Sequence, residues 1–94
     1  MVSILSDSVR SFWHWFRAEE ERLFVLSEHP EQLFVEIIDR LQQIHPGLVL
    51  ELGPESDGRR ELAISAGGCL DVFPAVLAVT ALAPDLKRWQ IIAF

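Results

Sequence analysis

The stretch that most constrains this chain is residues 59–94. There a candidate strand (RELAISA) runs into a glycine pair, an apolar helix (LDVFPAVLAVTALAP) and a second strand (WQIIAF). A strand, a helix and a strand in that order must share one core, because each alone would expose an apolar face. The rest of the chain has to supply the other side of that core.

The segment upstream is built to do so. Residues 7–26 repeat apolar side chains at the helical period, with Val9, Phe12, Trp13, Phe16, Leu23 and Phe24 on one side and Trp15 and Leu26 widening it. Ser6 or Asp7 is the expected N-cap. Pro30 suits the first position of a second helix, and Glu31 then meets its positive end. Leu33, Phe34, Ile37, Ile38, Leu41 and Ile44 form its apolar stripe, and His45-Pro46-Gly47 ends it. The link between the helices is short, so they are expected to pack as antiparallel neighbours.

A first strand over residues 48–52 places Leu48, Leu50 and Leu52 on one face. Residues 53–58 form the predicted turn, with Asp57-Gly58 as its strongest signal. The return strand, 60–66, turns Leu62, Ile64 and Ala66 inward. Gly67-Gly68 bends the chain into a third helix, predicted to be capped by Asp71 and to pack through Phe73, Val76, Leu77, Thr80 and Ala83. The expectation is a single α+β domain over 1–94: two helices, a β-hairpin, a helix and a strand. The expected sheet is mostly antiparallel, with the third strand beside the first (order β2-β1-β3). The side chains expected to be nearly inaccessible are Phe12, Phe16, Leu23, Leu41, Leu50, Ile64, Leu77 and Ile91.

Charge limits the partners. Fourteen carboxylates stand against 8 Lys and Arg, a net charge of −6. Such a surface repels phosphate backbones and anionic lipid, so neither nucleic acid nor membrane is an expected partner. The longest near-apolar run, 72–83, falls well short of the ~20 residues needed to span a bilayer. The first residues lack the basic start and long apolar stretch of a secretory signal. One cysteine, Cys69, cannot form an internal disulfide, so the cytoplasm is the expected location.

Little in the chain has the pattern of catalytic chemistry. His14, His29 and His45 have no His, Asp or Glu at the spacing that brings two ligands together on a helix, so no metal and no cofactor are expected. Cys69 has no nearby base and reads as a small hydrophobe. Glu20 falls within the aromatic face of the first helix and Glu19 at its edge. Their stems can lie along the core with the carboxylates in water. Alternatively, with Trp13 and Trp15, they mark a pocket or an interface. Ser65, Gly67, Gly68 and Asp71 form a weak candidate anion loop, since glycine backbones expose N–H groups near a helix start, although Asp71 competes for them.

Two functions follow. The first is a non-enzymatic interaction or accessory domain, its surplus aromatics and acidic surface serving a protein partner or a self-contact. The second is a small-molecule-binding or hydrolytic domain with its pocket between the first helix and the sheet. The last strand adds a separate expectation. Five of its six residues are apolar, an unusual composition for a sheet edge, so something beyond a single copy should complete the sheet.

A resemblance covers most of the chain. Phe12-Trp13 and Trp15-Phe16, Leu50-Glu51-Leu52-Gly53, Arg60-Glu61-Leu62 running to Ile64-Ser65-Ala66-Gly67-Gly68, Phe73-Pro74, Ala83-Pro84, Trp89 and Ile92-Ala93-Phe94 together resemble a group of uncharacterised bacterial proteins. That group shares the loose pattern FEIG…RELVISADG…FP…V…AP…W…IAF. Gly67 stands where the pattern has an acidic residue. The resemblance implies a bacterial protein whose natural chain continues past the last strand, and it implies no activity.

Overall fold

A computed structural model describes the backbone of residues 4–94 and the side chains from Asp7 onward. The elements, in order, are helix α1 (Ile4–Leu26), helix α2 (Pro30–Ile44), strand β1 (Val49–Ser56), strand β2 (Arg59–Ser65), a 3-10 turn (Leu70–Val72), helix α3 (Phe73–Ala81) and strand β3 (Trp89–Ala93). The fold is α+β, as the order of sequence patterns predicts. Because α1 is already helical at Ile4, Asp7 lies in its first turn and not at its cap position, and the Ser6 side chain lies outside the described residues.

Each helix buries a defined stripe. In α2, Leu33, Ile37 and Leu41 follow one another at four-residue spacing and are fully buried. In α1, Val9, Phe12, Trp13, Phe16 and Leu23 are buried. Ser27 closes the link between the helices: its hydroxyl donates to the Phe24 carbonyl at 2.6 Å, and its own carbonyl accepts from Arg60 Nη1 at 3.2 Å. Arg60 Nε also donates to the Gly53 carbonyl at 3.1 Å, so this one side chain ties the helical hairpin to the sheet.

The hairpin is longer and its turn tighter than the sequence predicts. Strand β1 continues through Pro54 to Ser56, with a register shift between Leu52 and Glu55. Only Asp57 and Gly58 form the turn, both at positive φ (55° and 76°), the geometry that two-residue hairpins favour. A proline inside a strand had marked the segment as loop, but an edge strand with a bulge tolerates it.

Strand order is the main correction. The sheet runs β1-β2-β3, with β3 parallel to β2 (Leu62 opposite Ile91, Ile64 opposite Ala93). Two features favour this over the expected β2-β1-β3. Glu51, Pro54, Glu55 and the bulge make the outer edge of β1 a poor template for another strand. The segment from Ala66 to Arg88 contains α3 and is long enough for a crossover between parallel strands.

The sheet has one covered side. Leu50, Leu62, Ile64 and Trp89 are buried against the helices, while the alternate residues Glu51, Glu61, Ala63, Gln90 and Ile92 are exposed or half-buried. Helix α3 packs through Ala75, Val76 and Val79, continuing from Val72 of the 3-10 turn, a face rotated from the expected one. Leu77 is 50% exposed and Phe73 38%. This helix is apolar almost all round, so periodicity could not select its inner face. The Trp13 indole N–H, which donates to the Val79 carbonyl at 2.8 Å, helps select it. Of the expected core, Phe12, Phe16, Leu23, Leu41, Leu50 and Ile64 are buried. Leu77 is not, and Ile91, on the outermost strand, is only half-buried.

Candidate functional site

The four residues singled out on α1 do separate jobs. Trp13 is 3% exposed, its N–H is bonded to α3, and its ring meets Phe12 and Phe16 edge-on at 4.8 and 5.5 Å. Trp15 is half-buried beneath the Arg40 guanidinium, 4.1 Å from the ring centre, a cation–π contact joining α1 to α2. Glu19 pairs with Arg22 at 3.1 Å. Glu20 points the other way: its Oε2 accepts the backbone N–H groups of Lys87 and Arg88 at 3.0 and 3.3 Å. The Glu20 carbonyl accepts the Trp89 indole N–H at 3.2 Å. Phe16 and Phe24 meet the Trp89 ring at 5.6 and 6.3 Å, filling the space between α1 and the sheet where a pocket was expected.

The main ion pair lies elsewhere. Arg22 forks onto both oxygens of Glu36 at 3.0 and 2.9 Å. The bidentate contact holds the Glu36 carboxyl below the usual carboxylate range and raises Arg22 further above neutrality. Both groups remain substantially exposed. An open depression of about 340 Å³ lies between α1 and α2, where Ser8, Ser11, Arg40 and Gln43 supply polar groups. Asp7, Phe12 and Ile44 complete its walls, and none of the candidate site residues, Trp13, Trp15, Glu19 or Glu20, lines it.

Two N–H groups of the glycine loop are bonded within it. The Ser65 hydroxyl accepts the Gly67 N–H at 3.0 Å, and the Cys69 N–H bonds back to the Ala66 carbonyl. Gly67 and Gly68 take positive φ, 62° and 83°. Asp71 makes no capping bond; Cys69 holds the cap position of the 3-10 turn and Val72 that of α3. Among the described residues, no group of three or more His, Cys, Asp or Glu side chains is placed to hold a metal ion.

Beside this loop is the feature that stands out. Leu70 is 87% exposed and Phe94 68%, and with Phe73 they line a depression of about 200 Å³ whose remaining walls are Ser65, Ala66, Gly68 and Cys69. Leu77 extends the apolar surface one helical turn beyond Phe73. The patch lies at the C-terminal ends of β2 and β3 and meets the last strand at Phe94. Along β3, the Arg60 N–H donates to the Arg88 carbonyl at 2.9 Å, and the Phe94 N–H donates to the Ile64 carbonyl at 3.0 Å. Residues in a strand alternate in the side to which they turn their main-chain groups. Gln90 and Ile92 therefore face β2, and Trp89, Ile91 and Ala93 present N–H and C=O outward. The Trp89 carbonyl accepts Arg59 Nη2 at 3.0 Å; the outward groups of Ile91 and Ala93 have no partner among the described residues.

The expected strand order already left the last strand at an edge, where its apolar composition is unusual; Phe73 was expected on the packed face of the third helix, and nothing in the sequence singled out Leu70. Comparison with protein-family models, curated proteins and solved structures yields no match. No helix among the described residues is long and apolar enough to cross a membrane.

Proposed function

We propose that this chain is a non-enzymatic protein-interaction domain that docks by extending its sheet at β3. One observation carries the reading: the two sheet edges are treated differently. The β1 edge has acids, a proline and a bulge, the devices that prevent strand addition. The β3 edge has no acid, proline or bulge, carries one charged side chain, Arg59 at the Trp89 carbonyl, and ends beside exposed Leu70, Phe73 and Phe94. Strand addition takes its affinity from main-chain bonds and its selectivity from side-chain pockets alongside, and both parts are present.

In this reading the protein is a bacterial, cytoplasmic one, as its resemblance to the group described above suggests. Its partners are proteins and not nucleic acid, given the net charge of −6. The α1 aromatics are spent internally, so the contact surface moves from α1, where the sequence suggests it, to the opposite end of the chain.

Affinity capture from the producing cells, using the parent chain and the variants Leu70→Asp, Phe94→Asp and Val35→Asp, tests this. Val35 is 70% exposed on α2, away from the patch, and serves as the control. Partners held by the parent and by Val35→Asp, but lost by the two patch variants, are expected. Capture unchanged by Leu70→Asp and Phe94→Asp, with both variants folded, would refute the reading.

A further inference from the structure

We infer that the strand received at the β3 edge is β3 of a second copy, paired antiparallel across a two-fold axis at Ile91. This inference rests on the strand-addition reading and names its occupant. Symmetry is the first argument. A strand edge that meets its own copy in a closed, isologous pair must do so antiparallel. With the axis at Ile91, Ile91 faces Ile91 of the second copy, and Trp89 faces its Ala93. The outward-facing residues of one strand thus meet the outward-facing residues of the other. Each is placed to form the hydrogen-bonded type of antiparallel pair: the open groups of Ile91 gain partners, and the Ala93 N–H of one copy takes the place of Arg59 at the Trp89 carbonyl of the other.

Charge is the second argument. Two molecules of net charge −6 repel wherever their acidic surfaces meet. The side chains of residues 89–94 carry no charge, and the charged group resting on this edge, Arg59 at the Trp89 carbonyl, falls opposite Ala93 of the second copy and not opposite its Arg59, so the seam sets no like charges opposite one another. The antiparallel arrangement also lays the start of one β3, preceded by Lys87, beside the end of the other. That end is bordered by the Leu70–Phe94 depression and by Asp71, which follows Leu70. Lys87 and Asp71 are both exposed, and neither has an ion-pair partner among the described residues of its own chain. Lys87 on one flank and Asp71 on the other are opposite in sign, although Asp85, also exposed and two residues before Lys87, adds an acid to the first. A parallel arrangement would bring Lys87 beside Lys87.

The apolar surface follows the same symmetry. Phe94 lies at the end of the strand, so the two-fold places one Phe94 and its neighbouring Leu70 at each end of the seam, against the flank of the other copy.

Light scattering on a sizing column over a wide dilution series, combined with amide hydrogen exchange, tests the inference. The parent should show a reversible species of twice 10.7 kDa. Its dimer fraction should rise with added salt, because screening weakens the repulsion between two acidic molecules. The Ile91 and Ala93 amides should gain protection as concentration rises. Ala93→Pro removes one outward N–H, and a proline whose missing donor faces away from the sheet is tolerated on an edge strand. Its dissociation constant should rise roughly tenfold or more, the equivalent of one or two net hydrogen bonds.

A parent that stays monomeric overturns the inference, as does a dimer whose Ile91 and Ala93 amides exchange as fast as in the monomer. A dimer that Ala93→Pro leaves intact overturns it as well. If Ala93→Pro does not fold, the exchange data on the parent decide alone. A monomer that still captures a partner through Leu70 and Phe94 leaves the strand-addition reading in place and removes only the second copy.

Discussion

Replacing Glu20 with alanine separates a reactive acid from a structural one. Its Oε2 accepts two backbone N–H groups, from Lys87 at 3.0 Å and Arg88 at 3.3 Å, just before β3 begins. Hydrogen bonds to a charged group contribute about 1.5–3 kcal/mol each when well formed. Here one oxygen serves both donors, the second bond is long, and the side chain is only half-buried, so the pair together should contribute about 1.5 kcal/mol. Alanine recovers a few tenths of a kcal/mol in helix propensity, leaving an expected loss of roughly 1–1.5 kcal/mol. Glutamine keeps a neutral acceptor and should lose about half as much, since charge-assisted bonds are roughly twice as strong as neutral ones. Urea unfolding gives both values, and hydrogen exchange at Lys87 and Arg88 locates the effect. Stability of Glu20→Ala within about 0.5 kcal/mol of the parent, below the net value of even one ordinary hydrogen bond, would refute the clamp, as would unchanged exchange at those two amides.

Leu62→Ala, at a fully buried position of the central strand, should cost about 2–5 kcal/mol in a chemical melt, whereas Leu77→Ala, half-exposed on α3, should cost under about 1 kcal/mol. Comparable losses would mean that α3 packs on the other face. The Arg22–Glu36 pair gives a pH test. Because the folded Glu36 carboxyl lies below its unfolded value, the pair stabilises fully above the unfolded value near pH ~4.3 and is lost as pH falls through the lower, folded one. The gap between parent and Glu36→Gln in urea melts should thus be under about 1 kcal/mol at neutral pH, given the exposure of both partners, and should close in strong acid.

The elements themselves were largely legible in the sequence, because Leu33, Ile37 and Leu41 on one helix and Leu62 and Ile64 on one strand follow strict periods. Asp57-Gly58 likewise locates the hairpin turn. Strand order was misjudged because Pro54 and Glu55 read as turn residues and not as the guarded edge of a strand that continues to Ser56. What decides it is the contrast between a β1 edge guarded by Glu51, Pro54 and Glu55 and a β2 edge free to pair. The inner face of α3 was hidden for a different reason: a helix built from Phe, Val, Leu and Ala offers apolar atoms in every direction. Its orientation comes from Trp13, in contact with Val79 across 66 positions of sequence. Glu19 and Glu20 were recognisable as acids beside aromatics, and Arg22, three residues after Glu19, stands at a helical spacing that the sequence shows. The partner of Glu20, the backbone at Lys87 and Arg88, lies 67 and 68 positions away, beyond any short motif.

The parallel pairing of β2 with β3 also bears on the order in which the molecule assembles. Strands β1 and β2 need only close the turn at Asp57-Gly58, and α1 and α2 only the short link around Ser27. Strand β3 must bring Trp89 beside Arg60 and its entry beside Glu20, 67 positions earlier in the chain. Closing such loops uses up chain entropy before the contacts form, so β3 is expected to join last. Until it does, the edge of β2 stands vacant, and β3 of a neighbouring chain fits that vacancy as well as the chain's own. Refolding from denaturant at high concentration is therefore expected to yield some molecules that have exchanged β3 across the 82–88 connector, and refolding at high dilution few.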